Sequence, residues 1–224
     1  MNYVFQFGPV WRDFDQLLFG AWLTIRLSAG AMCLGLLIAI PAALAKTSRY
    51  KLLRGIVLTY VETIRNTPFL IQLFMIFLGL PTLGIRLTPT QAALTAMVIN
   101  LGAYATEIVR AGIEAVPRGQ IEAGKALGLR PWQVFRFIVL MPALKTVFPA
   151  LGSQFILVML GSSVVSAISA EELSAIAAII QSRNFRSFEV YLVVAGLYLT
   201  LSLGFEAAFG AIYRVMFGRE SGRS

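Results

Sequence analysis

The sequence predicts an all-α integral membrane protein with five transmembrane helices, N-terminus outside and C-terminus cytoplasmic. Three observations carry this prediction. The chain is 58% hydrophobic and 13% charged, where soluble proteins run roughly 45–50% and about 25%. Five long runs, 27–45, 66–85, 87–106, 146–170 and 190–205, contain no Asp, Glu, Lys or Arg, and a bilayer span needs about 20 predominantly apolar residues. The basic residues cluster on one side of those runs. A large soluble core holds one such helix but rarely five.

In chain order, a short amphipathic N-terminal segment precedes helices at about 17–45, 53–79, 88–111, 146–169 and 189–217. Together they form one transmembrane domain over residues 1–224. Asp13 and Asp15, with no basic start before a short apolar core, argue against a cleavable signal. Trp11 and Trp22 suit anchors at the outer interface. The first helix carries the lone cysteine, Cys33, whose expected role is packing. In the second helix Pro68 removes a backbone donor and favours a kink, which frees carbonyls to face a cavity. The fourth contains Gly161-Ser162-Ser163, small residues that suit close helix packing. The fifth run continues past Glu206, which has no obvious partner nearby in sequence.

Orientation follows from the positive charges. With the N-terminus outside, thirteen of nineteen basic residues lie on inner segments: Lys46, Arg49, Lys51, Arg54, Arg110, Arg118, Lys125, Arg130, Arg136, Lys145, Arg214, Arg219 and Arg223. The positive-inside rule then places the C-terminus in the cytoplasm. The same distribution explains the net charge of +8 by anionic lipid rather than nucleic acid. With no histidine, a His-based metal site or general base is excluded. No Gly-x-x-x-x-Gly-Lys-Ser/Thr loop and no nucleophile–base constellation occur, so the chain is not expected to be an enzyme or to hydrolyse ATP.

Ionisable groups in a bilayer cost about 2.5–3.5 kcal/mol on insertion scales, so they pair, face a cavity or sit near an interface. Glu62 with Arg65 and Glu107 with Arg110 have the three-residue spacing that places each pair on one helix face. They read either as structural ion pairs or as a cytoplasmic gate. Asn66, Thr67, Asn100, Tyr104, Gln154, Ser162 and Ser163 are uncharged polar groups on spans and form the candidate pathway wall.

The segment 112–145 is the long cytoplasmic connection. Pro117 and Gly119 open a turn, Gln120–Leu127 spans two helical turns, Gly128 suits a left-handed cap, and Pro131 suits the first turn of a new helix. Glu122-Ala123-Gly124, then Gly128, then Ile138-Val139-Leu140 resemble the Glu-Ala-Ala loop of permeases from bacterial polar amino-acid ABC importers. That pattern has alanine at position 124 and proline directly after Leu140. Here Gly124 and Met141 stand in those places, with Pro142 one position later.

The stretch from Glu62 through Thr67-Pro68-Phe69-Leu70-Ile71-Gln72-Leu73 is similar to the same family, with Asn66 where glycine is usual. So are Gly102-Ala103-Tyr104, Glu107, Arg110-Ala111-Gly112-Ile113 and Gly119-Gln120. Leu160-Gly161-Ser162-Ser163 departs from the family's common Lys-Asp-Thr-Ser by lacking the charged pair.

The resemblance implies a type I ABC importer permease fold in the bacterial inner membrane, moving a polar amino acid by alternating access. It implies that Glu122, Ala123, Gly124, Leu127 and Gly128 couple to an ATPase. No cofactor is expected on this chain; ATP and Mg belong to a cytoplasmic ABC ATPase dimer. The other implied partners are a second permease, identical or homologous, and a periplasmic or lipid-anchored substrate-binding protein. An opine or another small polar solute is an alternative substrate. The rival class, an ion-coupled secondary carrier, predicts an internal repeat of broken helices around a buried carboxylate. No such repeat is visible, and the second rival, a non-transporting scaffold, leaves the 112–145 segment unexplained.

Overall fold

A computed structural model describes residues 3–48 and 50–218, so Arg49, Arg219 and Arg223 of the positive-charge pattern lie outside the described residues. Among the described residues ten α-helices follow one another: α1 (Gly8–Arg12), α2 (Phe14–Lys46), α3 (Lys51–Arg65), α4 (Phe69–Phe74), α5 (Pro89–Glu114), α6 (Arg118–Ala126), α7 (Pro131–Val134), α8 (Leu140–Gly161), α9 (Leu173–Asn184) and α10 (Ser187–Phe217). A π turn and a 3-10 turn extend α4 to Leu83, a π turn joins α7 to α8, and a 3-10 tail extends α8 to Ile168. Among the described residues four helices are long and apolar enough to cross a bilayer: α2, α5, the continuous Pro131–Ile168 rod and α10. The bent pair α3 and α4 makes a fifth when counted as one span.

The centre is α5 packed on α2, with α8 also against α5. Small side chains make this possible. Ala92, Ala93, Ala96 and Ala105 on α5 share a buried cluster with Ala31 and Ala39 on α2. In lipid there is no hydrophobic drive between helices, so close van der Waals approach through small residues holds them. The outward surface of α10, including Leu199 and Leu203, is exposed.

The structure differs from the sequence expectation in four places, each for a physical reason. The second helix is not continuous over 53–79: it breaks at residues 66–68 and turns through 110°. Pro68 has no N–H to continue the α3 ladder, and its backbone is extended (ψ 138°). The fourth helix begins at Pro131 rather than near 146, because Pro131 takes the N1 position and nothing breaks the helix before Ile168.

A further helix, α9, occupies the connection between the Pro131–Ile168 rod and α10. Its Leu173, Ala177 and Ile180 pack with Leu17 and Ala21 of α2 and Val190 of α10. Finally, Cys33 is exposed. The packed face of α2 runs through Thr24, Leu27, Ser28, Ala31, Gly35 and Ala39, and position 33 falls off that stripe.

Candidate functional site

The break at Pro68 organises the polar middle of the molecule. A proline at position 68 leaves the carbonyl of Ile64 without its helical donor. The side chain of Gln72 supplies one: its Nε2 donates to Ile64 O at 2.7 Å, and also to Thr67 O at 3.0 Å and Thr67 Oγ1 at 2.9 Å. Asn100 on α5 then donates from Nδ2 to Gln72 Oε1 at 3.0 Å. One buried glutamine thus ties α3, α4 and α5 at the bend. Gln72 is not among the residues that the sequence marks as pathway candidates. Its signal was a lone amide four residues after a proline in an otherwise apolar run.

Beside this knot lies a cavity of about 350 Å³, at the small end of ligand-pocket volumes. Thr67, Asn100, Tyr104 and Gln154 provide its polar wall, and Pro68, Met97, Leu157 and Gly161 are among its apolar lining. Four of the seven pathway candidates therefore converge. The other three turn elsewhere. Asn66 donates back to Glu62 O (2.8 Å) and Glu62 Oε2 (3.1 Å). Ser162 donates to Met159 O at 2.7 Å and Ser163 to Leu160 O at 2.8 Å, so both hydroxyls are used within their own helix.

The two charged pairs behave differently. Glu107 bonds Arg110 as the spacing anticipated (2.9 Å), and it also pairs with Lys46 of α2. Arg110 pairs onward with Glu114. This ladder staples the C-terminal ends of α2 and α5, and Lys46 could not be assigned to it from sequence because the contact spans 61 positions. Glu62 and Arg65 form no ion pair among the described residues. Instead Arg65 places its Cζ 5.4 Å from the ring centroid of Tyr104, a cation–π contact at the cavity wall.

The 112–145 segment holds α6, capped at its end by a Schellman arrangement. Gly128 adopts φ +76°, its N–H bonds Lys125 O (3.0 Å), and Leu129 N–H bonds Gly124 O (3.2 Å). Gly124 is buried: a Cβ there would stand 2.2 Å from Ile138 Cδ1. The glycine at this motif position is thus matched to Ile138 on the rod that becomes α8. The π turn Phe135–Val139 takes up one residue just before Pro142, where the family pattern has its proline one place earlier. Glu122 and Leu127 are exposed, Leu127 strongly, while Ala123 faces outward on the same helix.

At the other end, Glu172 is fully buried beneath α9. Its Oε1 accepts from Ala175 N (2.7 Å) and its Oε2 from Tyr198 Oη (2.6 Å), and Leu173 N donates to Thr24 Oγ1 (3.1 Å). Burial pushes the Glu172 carboxyl above its ordinary value, against the lowering effect of these donors. Glu189 is likewise buried, accepting from Tyr3 Oη (2.5 Å) and Gln6 N (2.9 Å). These contacts strap the N-terminal segment to the start of α10. Glu172 caps α9, a helix that the sequence did not reveal. Among the described residues no cluster of His, Cys, Asp or Glu could hold a metal ion.

The family model described as binding-protein-dependent transport system inner membrane component matches residues 32–217. The chain is 33% identical over 201 residues to the glutamine transport system permease protein GlnP of Escherichia coli (strain K12), covering 89% of this chain and 92% of that one. It is 32% identical over 201 residues to the nopaline transport system permease protein NocM of Agrobacterium fabrum (strain C58), covering 85% and 83%. Among solved structures, it superimposes on a chain from the crystal structure of an amino acid ABC transporter with histidines. The TM-score is 0.89 at 34% identity, covering 95% of this chain and 99% of that chain.

Proposed function

The chain belongs to the binding-protein-dependent transport system inner membrane component family, and from that premise we propose that it is the membrane-spanning subunit of an ATP-driven importer of a polar amino acid. It acts in the bacterial inner membrane, with its N-terminus outside and its C-terminus in the cytoplasm. One observation carries the mechanism. A single unbroken rod, Pro131–Ile168, touches α6 at one end through Ile138 and walls the cavity at the other through Gln154 and Gly161. A displacement of α6 is therefore delivered to the cavity without a flexible joint.

In this reading α6, through Glu122, Ala123, Gly124, Leu127 and Gly128, docks on one subunit of a cytoplasmic ABC ATPase dimer that binds ATP and Mg. A second permease, identical or homologous, completes the pathway, and a periplasmic or lipid-anchored binding protein delivers the solute. ATP-driven closure of the ATPase dimer moves α6, and the bundle alternates between outward and inward access. The cavity offers hydrogen bonds from Asn100, Tyr104 and Gln154, with the Arg65 guanidinium beside it for a carboxylate. The ladder of Lys46, Glu107, Arg110 and Glu114 holds the cytoplasmic end as structure.

Likeness to the nopaline permease supports a second substrate reading, an opine-type amino-acid derivative. Competition by glutamine against nopaline for uptake separates the two. The test of the proposal itself is reconstitution in vesicles with the partner subunits. Uptake that requires ATP and survives collapse of the proton gradient supports it; uptake that persists without ATP and collapses with the gradient overturns it. Within that assay, Arg65→Gln is expected to raise KM for an amino acid more than it lowers kcat.

A further inference from the structure

A second cleft, of about 560 Å³, opens between α8 and α10. Phe148, Ser153 and Leu157 line it from α8, and Glu206, Phe209 and Tyr213 from α10. Leu157 also lines the cavity at the helix break, so the two spaces adjoin along one helix. Glu206 is exposed and makes no hydrogen bond or ion pair among the described residues. It stands three turns, about 16 Å, from the end of α10, well inside the apolar span. A carboxylate there is costly against hydrocarbon and is stable facing water or a cation.

The groups around it are aromatic. The Phe148 ring centroid lies 5.7 Å from that of Phe209 and 6.2 Å from that of Tyr213. A carboxylate beside clustered rings is the chemistry that receives an ammonium group. Lipid tails or a tightly packed second helix would leave the charge unmatched.

We propose that this cleft is an aqueous, cation-attracting vestibule on the cytoplasmic half of the transport path. Glu206, with the rings of Phe148, Phe209 and Tyr213, receives the ammonium group of the solute as it leaves the cavity at the helix break. The proposal rests on the importer reading and adds to it a requirement that the solute carry a positive group.

Thiol accessibility tests it without knowing the solute. In a Cys33→Ser background, Ser153→Cys is placed in membranes with the ATPase partner present and both faces open to reagent. Cationic and anionic methanethiosulfonates are applied, and their rates are normalised to a free thiol in solution. The cationic reagent is expected to react about tenfold faster, the scale of electrostatic focusing in a charged cleft. Glu206→Gln removes the preference and Glu206→Asp retains it. No reaction with either reagent, or a preference unchanged by Glu206→Gln or lost in Glu206→Asp as well, overturns the proposal. ATP-dependent uptake by the Cys33→Ser parent is scored separately, so failure of the importer reading is distinguishable from failure of the vestibule.

Discussion

Replacing Gly128 tests whether the end of α6 is held by backbone conformation alone. Gly128 has φ +76°, and a Cβ added to it meets nothing within 4 Å. Substitution therefore brings no clash with a neighbour, only the strain of a side chain in the left-handed region. For an L-residue that strain is roughly 1–2 kcal/mol, or about 5–30-fold in the population of the capped state. α6 has nine residues, too short to persist without its cap and its packing, because isolated helices below about 12–15 residues are marginal.

The expected order of activity is Gly128, then Gly128→Asn, then Gly128→Ala, then Gly128→Val, since asparagine tolerates the left-handed region and a β-branched residue does not. The assay is solute transported per ATP hydrolysed in vesicles, alongside co-purification of the ATPase. Gly128→Ala is expected to lower the coupling ratio several-fold while expression and thermal stability of the bundle stay near the parent's. Parental coupling in Gly128→Val refutes the cap argument. So does Gly128→Asn failing as badly as Gly128→Val, which would make bulk rather than backbone the cause.

Other outcomes follow from the same structure. Gln72→Leu keeps the volume but strips the donor from Ile64 O and Thr67 O. It should destabilise the protein by about 1–3 kcal/mol and raise KM, read by thermal unfolding in detergent and by uptake kinetics. Lys46→Met and Glu107→Gln should each destabilise, with a coupling of roughly 0.5–3 kcal/mol in a double-mutant cycle; strict additivity would refute the staple. Glu172 is raised above its ordinary 4.5 by burial. Its proton-bound form is thus favoured in the folded state, and its contribution to stability is full below 4.5 and declines as pH rises through the raised value. Glu172→Gln should flatten the thermal-stability profile across that window, and an unchanged profile counts against the assignment.

Much of this molecule was legible along the chain because its determinants are local. Charge-free length, which the bilayer demands of any span, announced helices apolar enough to cross one. Pro117, Gly128 and Pro131 marked the ends of α6 and the start of the following rod, since proline and glycine act on their own backbone torsions. The spacing of Glu107 and Arg110 foretold their bond because a helix brings such positions together.

What remained hidden required partners distant in sequence. α9 shows apolar spacing at 173, 177 and 180, but its short run is indistinguishable from a loop until α2 covers it. Glu62 and Arg65 have the same spacing as the second pair, yet Arg65, at the end of α3, lies over the Tyr104 ring of α5. Ser162 and Ser163 looked available, but their helix's own carbonyls accept both hydroxyls. The sequence by itself determined which segments are apolar enough to cross a bilayer and where α6 is capped, through hydrophobic length and backbone torsions. Only the tertiary structure decided which polar groups share a cavity and which are paired, because those choices depend on how a broken helix is turned against its neighbours.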